Sequence, residues 1–284
     1  MSLLPRRKVL ITGACGGMGR ACARLFGATD DLVLTDVSAE ALAGFAAELG
    51  REGFNVVAEA GDVGDEALLG RLVAATAAGA PFAVVHTAGL SPSLADWEAI
   101  MRVNLVATHL LLKVVEPVLV PGSVAVLIAS SAGHMMPALP EVEAALADAL
   151  APGFLDRAKA IIEQMGGASS PGGMGGISYS LSKRAVIRLC ENRAQEWGPR
   201  GARIASVSPG TIDTPMGRKE LETGTGATML RDATPIGRLG MAMDIAMACR
   251  FLASDQAGFI TGTDLLVDGG GTTGMKLAMA RARG

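Results

Sequence analysis

Aromatic side chains are scarce in this chain. It has seven Phe, two Trp and a single Tyr among 284 residues, and one tyrosine in a chain this long is unusual. Cysteine is sparse too: Cys15, Cys22, Cys190 and Cys249 form no CxxC pair, and none stands near a histidine at ligand spacing. They read as reduced, mostly buried thiols of a cytoplasmic protein. The three histidines, His86, His109 and His134, are scattered, so no metal is expected. With a net charge of −3 there is no basic footprint for nucleic acid. Runs of about 18 apolar residues are missing, so no membrane span is expected. The longest apolar stretches, such as VAVLIA at 124–129, are strand-sized. Arg6, Arg7 and Lys8 precede an apolar run at the N-terminus, but Gly13, Gly16, Gly17 and Gly19 break it too soon for a signal-peptide core.

Hydrophobic residues are plentiful, at 50%, which supports a sizeable core in a chain whose length suits one domain. Strand-like runs at 8–12, 31–36, 55–59, 82–86 and 124–130 alternate with helical patterns at 17–27, 38–50, 65–78 and 96–116, the last stopped by Pro117. The strand runs are continuously apolar, as in parallel strands covered on both faces. The rhythm predicts an α/β fold: a single-domain, Rossmann-type, doubly wound parallel sheet of about seven strands with helices on both faces. Residues 134–176 interrupt it with two short helical patterns, 141–151 and 153–165, and the loop-like GGASSPGGMGG. A helix at 177–197, a strand at 202–208, a helix at 244–253 and a strand at 263–267 complete the reading. Residues 210–234 have weak periodicity and are expected to form a mobile loop over the substrate.

TGACGGMG follows the first strand and opens a helix. Gly13, Gly17 and Gly19, with Met18 between them, allow a sharp turn and close approach to a pyrophosphate, whose charge the helix N-terminus binds. Such a trio alone also suits a plain structural turn. Asp36 ends the second strand 19 residues past Gly17, where an acid accepts hydrogen bonds from ribose hydroxyls and repels a 2′-phosphate. No Arg or Lys lies between Gly13 and Gly19 to offset it, so NAD(H) is expected over NADP(H). An N-cap role for Asp36 competes, although Ser38 fits that role better. Asp62 and Val63 follow the third strand, where an acid reaches an adenine edge or simply caps a solvated loop. Ala88 and Gly89 follow the fourth strand, at the carboxyl edge where such sheets bind ligands.

Tyr179 and Lys183 stand four apart in a helical stretch and therefore share one face. An adjacent ammonium favours the phenolate, so the pair makes a sensible acid/base for hydroxyl–carbonyl exchange. YxxxK alone is equally an ordinary surface pair. Asn104 interrupts an apolar helix, and a buried amide needs partners.

Taken in order, TGACGGMG, Asp36, the AG of HTAG, Asn104 in RVNL, SSAG at 130–133, YSLSK at 179–183, SPG at 208–210 and TGTDLLVDGG resemble the classical short-chain dehydrogenase/reductase family over about residues 8–271. The resemblance implies that Tyr179 exchanges the proton, Lys183 holds the nicotinamide ribose and tunes Tyr179, and Asn104 holds a water linking Lys183 to solvent. It implies that Ser131, with Ser130 as the competing choice, binds the substrate oxygen. It also places Pro209, Gly210, Ile212 and Thr214 at the carboxamide, and implies a small-molecule alcohol or ketone substrate and a homo-oligomer, dimer or tetramer.

Two departures stand out. The family usually reads NNAG where this chain has His86-Thr87-Ala88-Gly89, which puts strand packing there in doubt. Between Ser131 and Tyr179 lie some 35 extra residues, an insertion similar to that of a subgroup resembling bacterial 3α-hydroxysteroid dehydrogenase/carbonyl reductase. Met135, Met136, Leu139, Phe154, Ile161 and Ile162 make it either a lid favouring a bulky hydrophobic, steroid-like or alicyclic substrate, or a surface hairpin or subunit contact. It could block or replace the pairing of helices 96–116 and 177–197 across subunits that the family often uses. The alternatives are a 3-oxoacyl-type reductase, against which Asp36 counts, and a non-catalytic NAD-binding regulator, which has no need of the Ser–Tyr–Lys–Asn set.

Overall fold

The computed structural model describes residues 6–170, 172–223 and 225–282; Pro171 of the Gly/Ser-rich stretch, Gly224 of the 210–234 segment and the chain ends lie outside the described residues. In chain order the strands are β1 (Lys8–Thr12), β2 (Asp31–Thr35), β3 (Val56–Ala58), β4 (Phe82–His86), β5 (Val124–Ile128), β6 (Arg203–Pro209), β7 (Ile212–Asp213), β8 (Gly240–Met241) and β9 (Thr263–Val267). Seven of them form one parallel sheet in the order β3-β2-β1-β4-β5-β6-β9, as expected, and β7 pairs with β8 apart from it. The chain winds outward from β1 to β3 and then restarts beside β1 at β4. This reversal leaves a crevice at the carboxyl ends of β1 and β4, where a doubly wound sheet binds its ligand.

Helices α1 (Gly17–Gly27), α2 (Ala39–Arg51) and α12 (Ala242–Leu252) cover one face, burying Phe26, Phe45 and Ile245 against Val9, Ile11 and Val85. On the other face are α3 (Glu66–Ala77), α5 (Ala107–Val115) and α9 (Gly173–Trp197), with Leu72, Leu111 and Val186 on Leu10, Val84 and Leu127. Both faces are dry, which is why β4 and β5 are apolar throughout. Edge strand β3 is the exception, with Val57 exposed.

The helix expected at 96–116 is broken. Asp96 caps α4 (Trp97–Met101), a π-turn follows at Arg102–Val106, and α5 resumes at Ala107. Asn104 sits inside that π-turn, and such bulges concentrate at functional sites. The 210–234 segment also differs from the expected loop: it holds β7 and the helices α10 (Pro215–Thr223) and α11 (Thr225–Asp232). Beyond the last expected strand, α13 (Gly271–Arg281) closes the chain.

The insertion forms α7 (Pro140–Leu146) and α8 (Phe154–Gln164) after the short α6 (Ser131–Met135). Leu146, Ala149, Phe154, Ala158 and Ile162 are buried in the same core layer as α5 and α9. Glu143 ties α7 to α9 through Arg184 at 2.7 Å and Arg188 at 3.1 Å. The insertion is thus a cover over α4 and α9. Among the described residues, no helix is long and apolar enough to cross a membrane, and all four cysteines are free.

His86 repairs the tie between strands that the missing NNAG would have made. Its Nδ1 lies 2.7 Å from Thr12 Oγ1 and its Nε2 3.0 Å from Thr108 Oγ1, while Thr87 Oγ1 donates to the Thr12 carbonyl. Thr108 gives its own proton to the Asn104 carbonyl at 2.8 Å, so His86 must donate from Nε2 and accept at Nδ1. Burial, helped by the Lys183 charge, lowers its pKa to about 3. Burial likewise lowers His109 to about 4, with Arg193 adding and Asp148 opposing. Both imidazoles are neutral in the fold yet protonate below about 6.5 when unfolded, so stability falls as pH drops from about 6.5 toward 4. Each is expected to remove about 2–3 kcal/mol by pH 4.5. Urea unfolding at pH 7.0 and 4.5 measures this; equal stabilities would mean that neither ring is held neutral.

Candidate active site

A cleft of about 710 Å³ opens at the carboxyl ends of β1 and β4. Its floor is the turn from β1 into α1. Gly13 has φ +62°, and a Cβ there would lie 2.7 Å from the Ala88 nitrogen; one on Gly19 would overlap the Gly13 carbonyl. Backbone packs on backbone, so only glycine fits. The α1 N-cap, Gly16, offers no side-chain acceptor and the first turn carries no acid. Its N–H groups are left open to an anion. Gly17 and Met18 line the same wall.

Asp36 closes one end of the cleft. Its Oδ2 accepts the Cys15 N–H at 2.9 Å, while Ser38 caps α2. Asp36 is therefore a site acid and not the N-cap. Asp62, Val63, Ala88 and Gly89 line the wall as expected, with Asp62 taking the Gly64 N–H at 2.7 Å. Thr214 lies across from Gly17, and its Oγ1 accepts the Gly217 N–H at 3.1 Å inside α10. A cleft of this size with an open helix start, an acid at the end of β2 and a glycine floor fits a dinucleotide.

The far end adjoins Tyr179 and Lys183 on α9. A Cβ on Gly89 would lie 3.3 Å from both Lys183 Nζ and Asn104 Oδ1, so Gly89 is where the cleft meets them. Asn104 is fully committed: Oδ1 accepts the Leu90 N–H at 2.8 Å, and Nδ2 donates to the Leu90 carbonyl at 2.9 Å and to Ser182 Oγ at 3.3 Å. Lys183 is buried, donates to the Ile128 carbonyl at 2.9 Å, and is lowered to about 8 by burial, with Glu220 opposing.

Tyr179 differs from its expected state. Burial holds the phenol above its ordinary range, the Glu220 carboxylate adds to this, and a hydrogen bond with Ser130 works the other way. The Lys183 ammonium is 5.9 Å from the ring centroid and directed at Ile128, so it does not activate the phenol in this state.

Ser130 and Ser131 divide differently than expected as well. Ser130 is the α6 N-cap, accepting the Ala132 N–H at 3.2 Å, and it lowers the Tyr179 pKa against burial. Ser131 is the first residue of α6 and is buried. Gly133 sets this geometry: a Cβ there would lie 2.9 Å from the Arg184 nitrogen, so α6 rests directly on α9. Pro209, Gly210 and Ile212 do not line the main cleft. Gly210 and Ile212 line a separate cavity of about 140 Å³ beside Asp268. Sequence reading also missed Lys219 on the cleft wall and Glu220 beside Tyr179 and Lys183. Both belong to α10, and without a helix there no shared face could be assigned.

Residues 7–142 match the family model described as short chain dehydrogenase, and residues 142–272 that described as Enoyl-(Acyl carrier protein) reductase. D-threitol dehydrogenase from Mycolicibacterium smegmatis is 30% identical over 281 residues, 95% of this chain and 94% of that one. The chain belongs to the short-chain dehydrogenase/reductase family. It is accordingly an oxidoreductase that acts on CH–OH groups of small molecules with a nicotinamide cofactor. The 2,5-dichloro-2,5-cyclohexadiene-1,4-diol dehydrogenase LinX from Sphingobium indicum is 29% identical over 96% of this chain and 98% of its own. A solved structure from Brucella melitensis, a glucose/ribitol dehydrogenase by its description, has a TM-score of 0.73 and 28% identity, covering 94% of this chain and 97% of that one. A short-chain type relative from Sinorhizobium fredii is longer, and this chain spans 44% of it.

Proposed function

We propose that this short-chain dehydrogenase/reductase interconverts an alicyclic secondary alcohol and its ketone with NAD, using Tyr179 as acid/base. The observation that carries the reading is that the cleft meets Lys183 and Asn104 at Gly89, with Tyr179 one helical turn before Lys183 on α9. The nicotinamide, when bound, supplies or accepts the hydride. Tyr179 Oη takes the carbinol proton during oxidation and returns it during reduction. The Ser130 hydroxyl holds the substrate oxygen as its charge changes. We assign this role to Ser130 in place of Ser131. In this reading Lys183 holds the ribose, and Asn104, whose amide is spent on Leu90 and Ser182, fixes the π-turn beside it. Thr214 is the member of the carboxamide set that lines the cleft.

Leu90, Leu94, Val103 and Met216 give the cleft an apolar wall suited to a ring-shaped substrate. LinX, named for a cyclohexadiene diol, supports that class. The apolar residues of the insertion are buried against α4 and α9, which supports a packing role for it in place of a substrate lid, a surface hairpin or a subunit contact. With four free cysteines, the protein suits a reducing cytoplasm.

Oxidation of cyclohexanols by NAD, followed as NADH absorbance, tests the reading. Ser130→Ala is expected to lose about a hundredfold or more in kcat/KM, and Ser131→Ala less than about tenfold at an unchanged melting temperature. The reverse ranking would return the role to Ser131.

Assembly follows from what stays uncovered. With α4 and α9 under the insertion, one exposed apolar row remains on α12, where Met243, Met247 and Phe251 stand four apart, followed in sequence by the fully exposed Phe259. The protein is expected to form a homodimer there. Met247→Glu with Phe259→Asp should give a monomer by light scattering; an unchanged mass would place the interface elsewhere.

A further inference from the structure

We propose that His134 and Asp264 are positioning residues for the serine turn, fixing Ser130 and Ser131 in place through a hydrogen bond from α6 to β9. This rests on the reading that a serine of this turn holds the substrate oxygen. Helix α6 has five residues, and a helix that short has no stability of its own. Its place is decided by what it touches. Gly133 rests on the α9 backbone, where a Cβ would lie 2.9 Å from the Arg184 nitrogen. That contact sets a closest approach but has no direction. The second contact has one: His134, one turn after Ser130, puts Nε2 2.7 Å from Asp264 Oδ2. An ionised carboxylate only accepts, so Nε2 carries the proton and donates it whether the ring is charged or neutral.

Asp264 is itself held fast. Its side chain is 5% exposed. Oδ1 accepts the hydroxyl protons of Ser206 at 2.6 Å and Ser208 at 2.9 Å. Ser206 is its register partner on β6, and the two serines, two apart on one strand, face the same side of the sheet. Both are fully buried, and each spends its one hydroxyl proton on Asp264. With both serines on Oδ1, Oδ2 is left to His134, and the carboxylate cannot turn without giving up a bond. Burying an acid costs free energy, and an apolar pair of similar size would pack α6 against β9 as well. What the polar set adds is direction, because a hydrogen bond fixes both a distance and an angle. Ser130 caps the same turn by accepting the Ala132 N–H at 3.2 Å, so a shift of His134 moves the serines with it.

The test measures cyclohexanol oxidation by NAD, together with NADH binding, for His134→Ala, His134→Gln and His134→Asn. His134→Ala is repeated in the Ser130→Ala and Ser131→Ala backgrounds. Misplacing a reacting group by about 1 Å costs about a hundredfold, so His134→Ala is expected to lower kcat about ten- to a hundredfold with NADH affinity kept within about twofold. Glutamine carries an N–H at nearly the reach of Nε2 and should restore most of the rate, whereas asparagine is one carbon shorter and should not. Rates are taken per NADH-binding site, so unfolded protein does not count as a loss. If the pair acts through Ser130, His134→Ala costs less than about threefold once Ser130 is alanine, because no serine is left to misplace. Disappearance of the effect only in Ser131→Ala would support the proposal and return the substrate oxygen to Ser131. Undiminished losses in both backgrounds, or a His134→Gln variant no faster than His134→Asn, would overturn it. Full activity of both serine variants would remove the reading beneath it, and the proposal with it.

Discussion

Tyr179→Phe is expected to lower kcat about a thousandfold or more while leaving NADH binding within about twofold. The variant removes one oxygen and no packing surface, so the ring stays where it is half-buried on α9. The cofactor wall is built from β1, α1 and the ends of β2 to β4, none of which relies on the phenol. What disappears is the proton carrier. Its partner Ser130 remains, capped into α6, and still holds a substrate oxygen. Binding and proton transfer should therefore separate cleanly: NADH fluorescence titration barely changes, and turnover nearly vanishes. Retained turnover would show that another group moves the proton.

The electrostatics around Tyr179 add a direction to this prediction. Burial and Glu220 keep the phenol protonated in the free protein. The resting site is thus set to donate a proton, the state that ketone reduction requires. Alcohol oxidation needs the phenolate, and that proton leaves more readily once a second positive charge joins Lys183 beside the ring. Oxidation is accordingly expected to rise with pH across a range where reduction does not. Glu220→Gln should move the oxidation limb to lower pH, because it removes a negative charge that opposes the phenolate.

Much of this site could be read from residue order because each element follows from a local rule. Continuous apolar runs mark strands buried on both faces, glycines where backbone meets backbone mark the cofactor turn, and an acid at the end of β2 marks the ribose end. The misses share a different origin. The π-turn at Asn104 depends on the amide reaching across to Leu90 and Ser182, contacts far apart in sequence. That Ser130 caps α6 while Ser131 is buried within it depends on how tightly Gly133 lets α6 sit on α9. Lys219 was hidden because α10 is a short helix inside a Gly- and Thr-rich segment, set over the cleft by Thr214 against Gly17. His86 looked like a defect and turns out to be a replacement tie, because an imidazole between two threonines does what two amides would do elsewhere.

Asp36→Asn is expected to reduce the preference for NAD over NADP at least about a hundredfold in kcat/KM. The substitution is chosen because an amide oxygen still accepts the Cys15 N–H, so the turn beneath the cofactor is kept. Two effects then add. The wild-type carboxylate takes charge-assisted hydrogen bonds from ribose hydroxyls, and weakening these costs NAD about tenfold. The same carboxylate meets a 2′-phosphate at close range, where two unit charges about 4 Å apart repel by about 4 kcal/mol at an effective dielectric of 20. Removing that repulsion raises NADP use by an order of magnitude or more even after solvent screening. Arg20 and Arg24, the basic residues of α1, are both bound to Glu48, and Arg20 is stacked on Phe45. Asp36→Asn should therefore tolerate NADP without preferring it, and Val37→Arg beside it, at an exposed position, should complete the reversal. Steady-state kinetics with both cofactors decides the matter: an unchanged NAD-to-NADP ratio in Asp36→Asn would mean that specificity is set elsewhere along the cleft.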